Sequence, residues 1–427
     1  MLNQEKINEL LAYFARKIIA KYHPMVIGIT GSVGKTSTRH AIAAALSAKY
    51  NLREPEKNYN NEIGIPLTVI GARGVDEDTS FIARKFAWLR IFTKALAVWL
   101  LPQNYPKLLV LEYGIDHPGD MDSLLNIVAP QLAVLTTIGV SHKQFFKSED
   151  AIAFEKGKIV VGLPKNGTFI FNADDVHVAA QAERTQAHLM PFGHASSASV
   201  SLVAVEENLQ LPASTKLTIK TPTREIKITV PVVGTAHTSA ILAAVAVAEA
   251  MEVETDLIIK GLANYRAMPG RLNIITGIKR SILIDDTYNA APLSTIEALK
   301  LLGRFSNKNK IAVLGDMLEL GDATDLAHAE IGQLAAGLNL SKLVTVGELG
   351  QKIAVAAQAA GMSAENILSF TTSDEAKQAV LNLLEPESVV LIKGSQGVRM
   401  EKITKELLAE PTAASQLLVR QYGKWIK

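Results

Sequence analysis

Gly31-Ser32-Val33-Gly34-Lys35-Thr36 combines residue types that handle phosphate. The two glycines let backbone N–H groups close on anionic oxygens, and a helix that follows adds its positive dipole end. Lys35 would reach the terminal phosphates of a nucleotide, and the Thr36 hydroxyl would hold Mg²⁺. The spacing is not that of the common phosphate loop. That pattern needs a glycine five residues before Gly34, where Ile29 stands; the first loop glycine here is Gly31.

Four further groups could share this chemistry. Glu112, in LEYGID, follows an apolar run, and an acid at a strand's carboxyl end is well placed for Mg²⁺. His142, in TIGVSHKQF, sits just past the next apolar run. Asp285 and Asp286 end another such run in ILIDDTYNAAP, where one of them could hydrogen-bond a ribose hydroxyl. Arg271, after Met268-Pro269-Gly270, could bring a planar cationic fork onto a transferring phosphate. Each also has a plainer reading: a surface charge for Glu112, an unliganded loop histidine for His142, a hinge salt bridge for Arg271. Lys156, in FEKGKIVVGL, reads by itself as a solvated helix charge.

The elements that must position these groups follow from periodicity. Met25–Thr30 is a short apolar run suited to a buried strand, and Ser37–Tyr50 carries an alanine-rich helical pattern. Before them, Leu2–Tyr22 has apolar residues at helical period; Pro24 ends it. Pro106–Glu112 and Ala133–Thr137 read as further buried strands, so the alternation predicts a parallel sheet covered by helices. Thr168–Asn172 and Val200–Val233 read as an antiparallel addition to that domain. The break at Met268–Arg271 is the best boundary. Beyond it Ser281–Ile284, Lys310–Leu314, Leu343–Val346 and Val389–Ile392 predict a second doubly wound unit. The expected division is an N-terminal helix (1–24), a nucleotide-binding domain (25–270) and a C-terminal α/β domain (271–427).

Phe81–Leu101 stands apart: apolar and aromatic, with Arg84, Lys85, Arg90 and Lys94 inserted. Four charges argue against a membrane span. Two readings stay open, a packed or partner-binding helix and a basic helix lying on an anionic membrane. The charges, read along the chain, do not gather on one narrow face.

Composition sets the outer bounds. At 427 residues, 48% apolar and 20% charged, the chain is an ordinary globular one of two or three domains. Net charge is +2, and no long Lys/Arg run indicates a nucleic-acid partner. There is no cysteine, which excludes disulfides, thiolate zinc and a Cys nucleophile together. The N-terminus reads as an amphipathic helix rather than a secretory signal, so a cytoplasmic location is expected.

Together these motifs resemble one family, the Mur ligases. The resemblance runs from about Met25 to about Leu407, through TGSVGKTS, NYNNEIGIPLT, LEYG, TIGVSH, FEKGK, FNADD, MPGRL, IDDTYNAAP, VLGDMLELG with His328 after it, and IKGSQG. NNEIGIPLT and DDTYNAAP resemble most the member acting on UDP-N-acetylmuramoyl-tripeptide. The fold so implied is α/β: a central ATPase domain with a P-loop and a parallel sheet plus antiparallel addition, then a Rossmann-like C-terminal domain. The implied function is ATP-dependent amide ligation in peptidoglycan precursor synthesis. It adds D-alanyl-D-alanine to the UDP-muramoyl peptide through an acyl phosphate.

The family's roles then fall residue by residue. Gly31, Ser32, Gly34, Lys35, Thr36 and Ser37 would bind ATP, with Asp286 and Asn289 on the nucleoside side. Thr36 and Glu112 would hold a first Mg²⁺, and His142 a second with Lys156, at the family's carbamylated lysine. Arg271 would meet the γ-phosphate, and Asn60, Asn61 and Lys393 the substrate. Departures accompany the match. Only 24 residues precede the first strand, where relatives carry a UDP-sugar domain, and the 81–101 helix is longer than that place in the family suggests. The family's H-N-x-x-N reads His237-Thr238-Ser239-Ala240-Ile241, its KGE reads Lys156-Gly157-Lys158, and Gln396 replaces an expected Arg. A sibling ligase with other acceptors, an ATPase switch and a docked scaffold remain as alternatives.

Overall fold

The computed structural model describes residues 3–56, 59–75, 79–139, 146 and 148–426. Among these, strands gather into two sheets. The first contains β1 (Met25–Thr30), β2 (Leu52–Arg53), β3 (Leu108–Glu112), β4 (Leu132–Leu135), β5 (Thr168–Asn172), β6 (His188–Gly193), β7 (Val200–Asn208), β8 (Ser214–Lys220) and β9 (Glu225–Val230). Its order is β2-β3-β1-β4-β5-β6-β7-β8-β9, parallel through β7 and antiparallel beyond.

Alternate residues of β1 enter two cores. Val26 faces one, and Ile27 and Ile29 the other, so both faces of the sheet are covered. One cover is α1 (Gln4–Tyr22), capped by Asn3 and burying Ile7, Leu11, Phe14 and Ile18. It lies with α3 (Gly64–Ile70), α4 (Phe81–Leu100), α5 (Asp120–Ile127) and α6 (Glu149–Val161). The other cover is α2 (Lys35–Leu46) with the helix Thr235–Ala250, whose Ala and Val side chains are buried almost all round.

The assignment of Thr168–Asn172 to the antiparallel addition is corrected. β5 pairs in parallel with β4 and β6, because Phe169 and Phe171 enter one core and Ile170 the other. A strand covered on both faces has no exposed alternation to mark it. β6, which the sequence did not mark, contains Pro191 and is half exposed.

The second sheet contains β10 (Asn273–Thr276), β11 (Ile282–Asp286), β12 (Lys310–Gly315), β13 (Lys342–Val346), β14 (Ile367–Phe370) and β15 (Val389–Lys393). Its order is β10-β11-β15-β12-β13-β14, parallel except at β10. The four apolar runs named from sequence are its centre; β10 and β14, short and half buried, are its edges.

α4 packs one face on α1. Trp99 meets Tyr13 and Phe14 edge-on, with ring centroids 6.1 and 6.2 Å apart. Lys21 Nζ and Tyr22 Oη donate to the carbonyls of Val98 and Leu101, closing the last turn of α4. Among the described residues no helix is long and apolar enough to cross a membrane.

Candidate active site

β1 delivers the chain to the loop, and two glycines shape it. Gly31 lies at φ +148°, and a Cβ there would sit 2.0 Å from Thr136 Oγ1; Gly34 lies at φ +87°. The loop is tied to the segment after β4: Thr136 Oγ1 donates to Val33 O at 2.6 Å, and Ser32 N to Thr137 O at 2.6 Å. No side chain caps the N-terminus of α2, so its first-turn N–H groups are left for an anion. Lys35 Nζ folds onto its own loop, donating to Gly31 O at 2.7 Å and Ser32 O at 3.3 Å. Burial lowers its proton affinity, against the pull of Glu112.

Glu112 ends β3 beside Ile29 of β1. Its carboxylate accepts from Thr36 Oγ1 at 3.1 Å and from Asn60 Nδ2 at 3.4 Å, with Arg39 Nε 3.7 Å away. Arg39 in turn donates to Glu54 at 3.0 Å. A hydroxyl and a carboxylate side by side at a phosphate loop are hard oxygen donors of the kind Mg²⁺ takes, with phosphate oxygens and waters completing its shell.

Lys156 lies on α6 and is 2% exposed. Among the described residues its amine has no hydrogen bond or ion pair, although Asp116, Glu112 and Glu155 attract it and Lys35 repels it. Burial, reinforced by Lys35, holds it well below the usual lysine range. Glu155 and Lys158 do not serve it directly. Glu155 accepts from Gly119 N and Met121 N, and Lys158 pairs with Asp122 and Glu155 at 2.6 and 2.7 Å. His142 lies outside the described residues.

The second sheet supplies the opposite wall. Asp286 and Lys393 end neighbouring strands in register, and Lys393 Nζ lies 2.6 Å from Asp286 Oδ2 while also donating to Asn289 O at 2.9 Å. Asp286 Oδ1 accepts from Leu272 N at 3.1 Å. Arg271 lays its guanidinium 3.8 Å above the Tyr288 ring and donates from Nη2 to Thr36 Oγ1 at 3.3 Å. Its carbonyl is 3.2 Å from His237 Nε2, whose Nδ1 is 2.9 Å from Tyr265 Oη. Burial keeps His237 neutral, so Nε2–H donates to Arg271 O and Nδ1 accepts from Tyr265.

A cleft of about 400 Å³ opens between the walls. Residues 32–37, Asn60, Asn61 and Glu112 line one side; Arg271, Asp286, Asn289 and Lys393 line the other. The structure thus brings these predicted residues together, while Gly31 and Lys156 stand outside the lining. Sequence reasoning missed Tyr288, Asp116 and Arg420. The first two line the cleft, and Arg420, 6% exposed, donates to the carbonyls of Thr287 (2.5 Å) and Tyr288 (3.2 Å) and pairs with Glu401 at 3.0 Å. Tyr288, inside DDTYNAAP, and Asp116, closing LEYGID, lay within motifs already noted; Arg420 carried no signal.

A phosphate loop facing a second α/β unit, with an arginine crossing between them, defines a nucleotide-dependent enzyme built on two sheets. The comparisons with known proteins make this specific. Residues 29–82 and 95–248 match the Mur ligase middle domain, and 270–396 match the Mur ligase glutamate ligase domain. The chain belongs to the Mur ligase family, whose members are ATP-dependent ligases. The unmatched residues 83–94 fall inside α4.

The UDP-N-acetylmuramoyl-tripeptide–D-alanyl-D-alanine ligase of Bacillus subtilis is 29% identical over 402 residues, covering 94% of this chain and 79% of that one. That of Escherichia coli is 28% identical over 407 residues, covering 93% and 79%. Among solved structures, MurF from Acinetobacter baumannii superposes with a TM-score of 0.78 at 27% identity, over 95% of this chain and 80% of that one.

Proposed function

We propose that the protein is an ATP-dependent ligase joining D-alanyl-D-alanine to a UDP-N-acetylmuramoyl-tripeptide, as the relatives' names describe. The observation that carries the reading is the meeting of Arg271 with Thr36 at the phosphate loop, 3.3 Å apart. A site that only held nucleotide would not need a cation from the second sheet at that point.

In the reaction a peptide carboxylate oxygen attacks the γ-phosphorus of ATP. The bond from that phosphorus to the β-γ bridging oxygen breaks, and ADP leaves. The D-alanyl-D-alanine amine then attacks the acyl carbon, loses a proton, and the tetrahedral intermediate expels inorganic phosphate as the amide forms. The loop N–H groups and Lys35 would hold the β- and γ-phosphates. Arg271 would face the transferring phosphoryl group, and its stacking on Tyr288 limits the reorganisation needed. Asn60 and Asn61 line the same side as Glu112, where an acceptor peptide would lie.

Thr36 and Glu112 would hold Mg²⁺, which when bound supplies charge neutralisation for the phosphoryl group. Lys156 suits carbamylation, because a buried amine of lowered proton affinity is the neutral form that adds CO₂. The resulting anion, with His142, would hold a second Mg²⁺. With ATP and a UDP-linked peptide as substrates the reaction would run in the cytoplasm.

The test is ADP release with ATP and Mg²⁺, offering each substrate alone and then both, with the amide product identified by mass. Release requiring both substrates is expected, and Lys35→Ala should lower turnover by about 10²–10³. Release with neither substrate present would favour an ATPase switch.

A further inference from the structure

α4 has a second face that the core does not use. Ile82, Phe86, Leu89, Leu96 and Leu100 are 68%, 67%, 57%, 43% and 58% exposed. With Thr93 they advance by four and three residues alternately, so at about 100° per residue they lie within about 40° of one line. From Ile91 onward the opposite face, with Ile91, Ala95 and Val98, is the buried one, and Phe92 and Trp99 pack on α1 beside it; Arg84, on that side nearer the start of the helix, is exposed. The stripe therefore runs the length of the helix on its solvent side.

Charge narrows what can cover it. Lys85 and Arg90, both exposed, flank the stripe at about 60° on one side and about 80° on the other. From Thr79 to Leu111 the chain has no acidic residue. If a second copy paired through the stripe, Lys85 and Arg90 would occupy the positions flanking the seam. Parallel and antiparallel pairings alike would then set cation against cation. An anionic surface meets the same flanks with attraction. Basic residues bordering an apolar stripe are also how a helix rests at a lipid interface, its stems on the acyl boundary and its cations among headgroups.

We propose that α4 seats this protein on an anionic lipid surface, lying in the interface through Ile82, Phe86, Leu89, Leu96 and Leu100, with Lys85 and Arg90 toward the headgroups. The helix lies on the bilayer rather than across it. The inference is independent of the ligase reading, because none of these residues lines the cleft.

Flotation of the full chain tests it, using vesicles of phosphatidylcholine alone and vesicles with a third of the lipid replaced by phosphatidylglycerol. Binding to the anionic vesicles is expected, weakening as salt is raised. Lys85→Glu with Arg90→Glu should lower the partition at least about 25-fold, from about fivefold for each cation. Phe86→Ser with Leu89→Ser should lower it at least about tenfold, whereas Phe86→Leu retains it. Circular dichroism and ADP release should match wild type in all three, separating loss of docking from loss of fold. Failure to float with anionic vesicles, or equal flotation with neutral ones, overturns the proposal. So does a concentration-dependent dimer that Phe86→Ser abolishes, which would assign the stripe to a second copy.

Discussion

Arg271 Nη2 donates to Thr36 Oγ1 at 3.3 Å although 235 residues separate them in the chain. Thr36 opens the first helix after the phosphate loop, and Arg271 stands just before the first strand of the second sheet. Since the guanidinium is also stacked on Tyr288, its plane is fixed before a phosphate arrives. Arg271→Ala should lower turnover by about 10²–10³. Arg271→Lys should recover little of it, because a lysine has neither the fork nor the stacking plane. Steady-state ADP release with both substrates measures this; a lysine variant near wild type would leave only the charge as important.

Arg420 acts one layer behind. It holds the carbonyls of Thr287 and Tyr288 and pairs with Glu401; Arg420, Thr287 and Glu401 are buried. Arg420→Ala removes one partner of a buried pair, so it should destabilise by about 3–5 kcal/mol. It should also lower turnover of the folded fraction by freeing Tyr288 under Arg271. Denaturant unfolding gives the first effect, and activity normalised to folded protein the second. Unchanged normalised activity would mean that Tyr288 keeps its place without Arg420.

Lys156 sets stability against activity. An amine buried without a partner among the described residues favours its neutral form, so wild-type stability should rise as pH climbs toward the ordinary lysine value of 10.5. Lys156→Met keeps the volume and removes the polar end. It should raise the unfolding midpoint at neutral pH by a few degrees, flatten that slope and lower turnover at least about a hundredfold. A midpoint lowered by the methionine would show that the amine makes a stabilising contact.

Asp285 gives a pH signature from beneath the site. Burial raises its carboxyl from 3.8 to about 7, despite hydrogen bonds from Gly270 N, Thr287 Oγ1 and Thr404 Oγ1. Between those values the folded state binds more protons than the unfolded one, so this group's stabilisation is complete below about 4 and is lost as pH rises through about 7. Asp285→Asn stays neutral, can accept from Gly270 N and can donate to both threonines. Its unfolding midpoint relative to wild type should therefore climb from pH 4 to 7 and level off above. A difference independent of pH would place the Asp285 proton affinity near its ordinary value.

The parts legible in sequence are those where residue type itself constrains the backbone. Gly31, Gly34, Lys35 and Thr36 mark a strand, a turn and a helix start, and Glu112 marks a strand end. Lys156 is different: a lone lysine in a helical pattern reads as solvated, and its 2% exposure arises from elements distant in sequence. Arg420 left still less trace, because its contact with Tyr288 spans 132 residues and no spacing records it. β5 was misassigned because Phe-Ile-Phe reads alike in a parallel or an antiparallel sheet. In α4 the charges seemed scattered along the chain, and burial was needed to show which apolar residues face outward.

The position of β15 decides when the site can exist. Of the described strands it is made last, yet it lies in the middle of its sheet, between β11 and β12. During synthesis Asp286 emerges 107 residues ahead of Lys393, its cationic partner. At 5–20 residues per second that interval is about 5–20 s. The phosphate loop and its sheet are complete well before then, while the opposite wall stays open along its central seam. A nascent chain cut short before β15 would thus display the phosphate loop with no finished wall to face it. Ligation competence arrives only with the final strand.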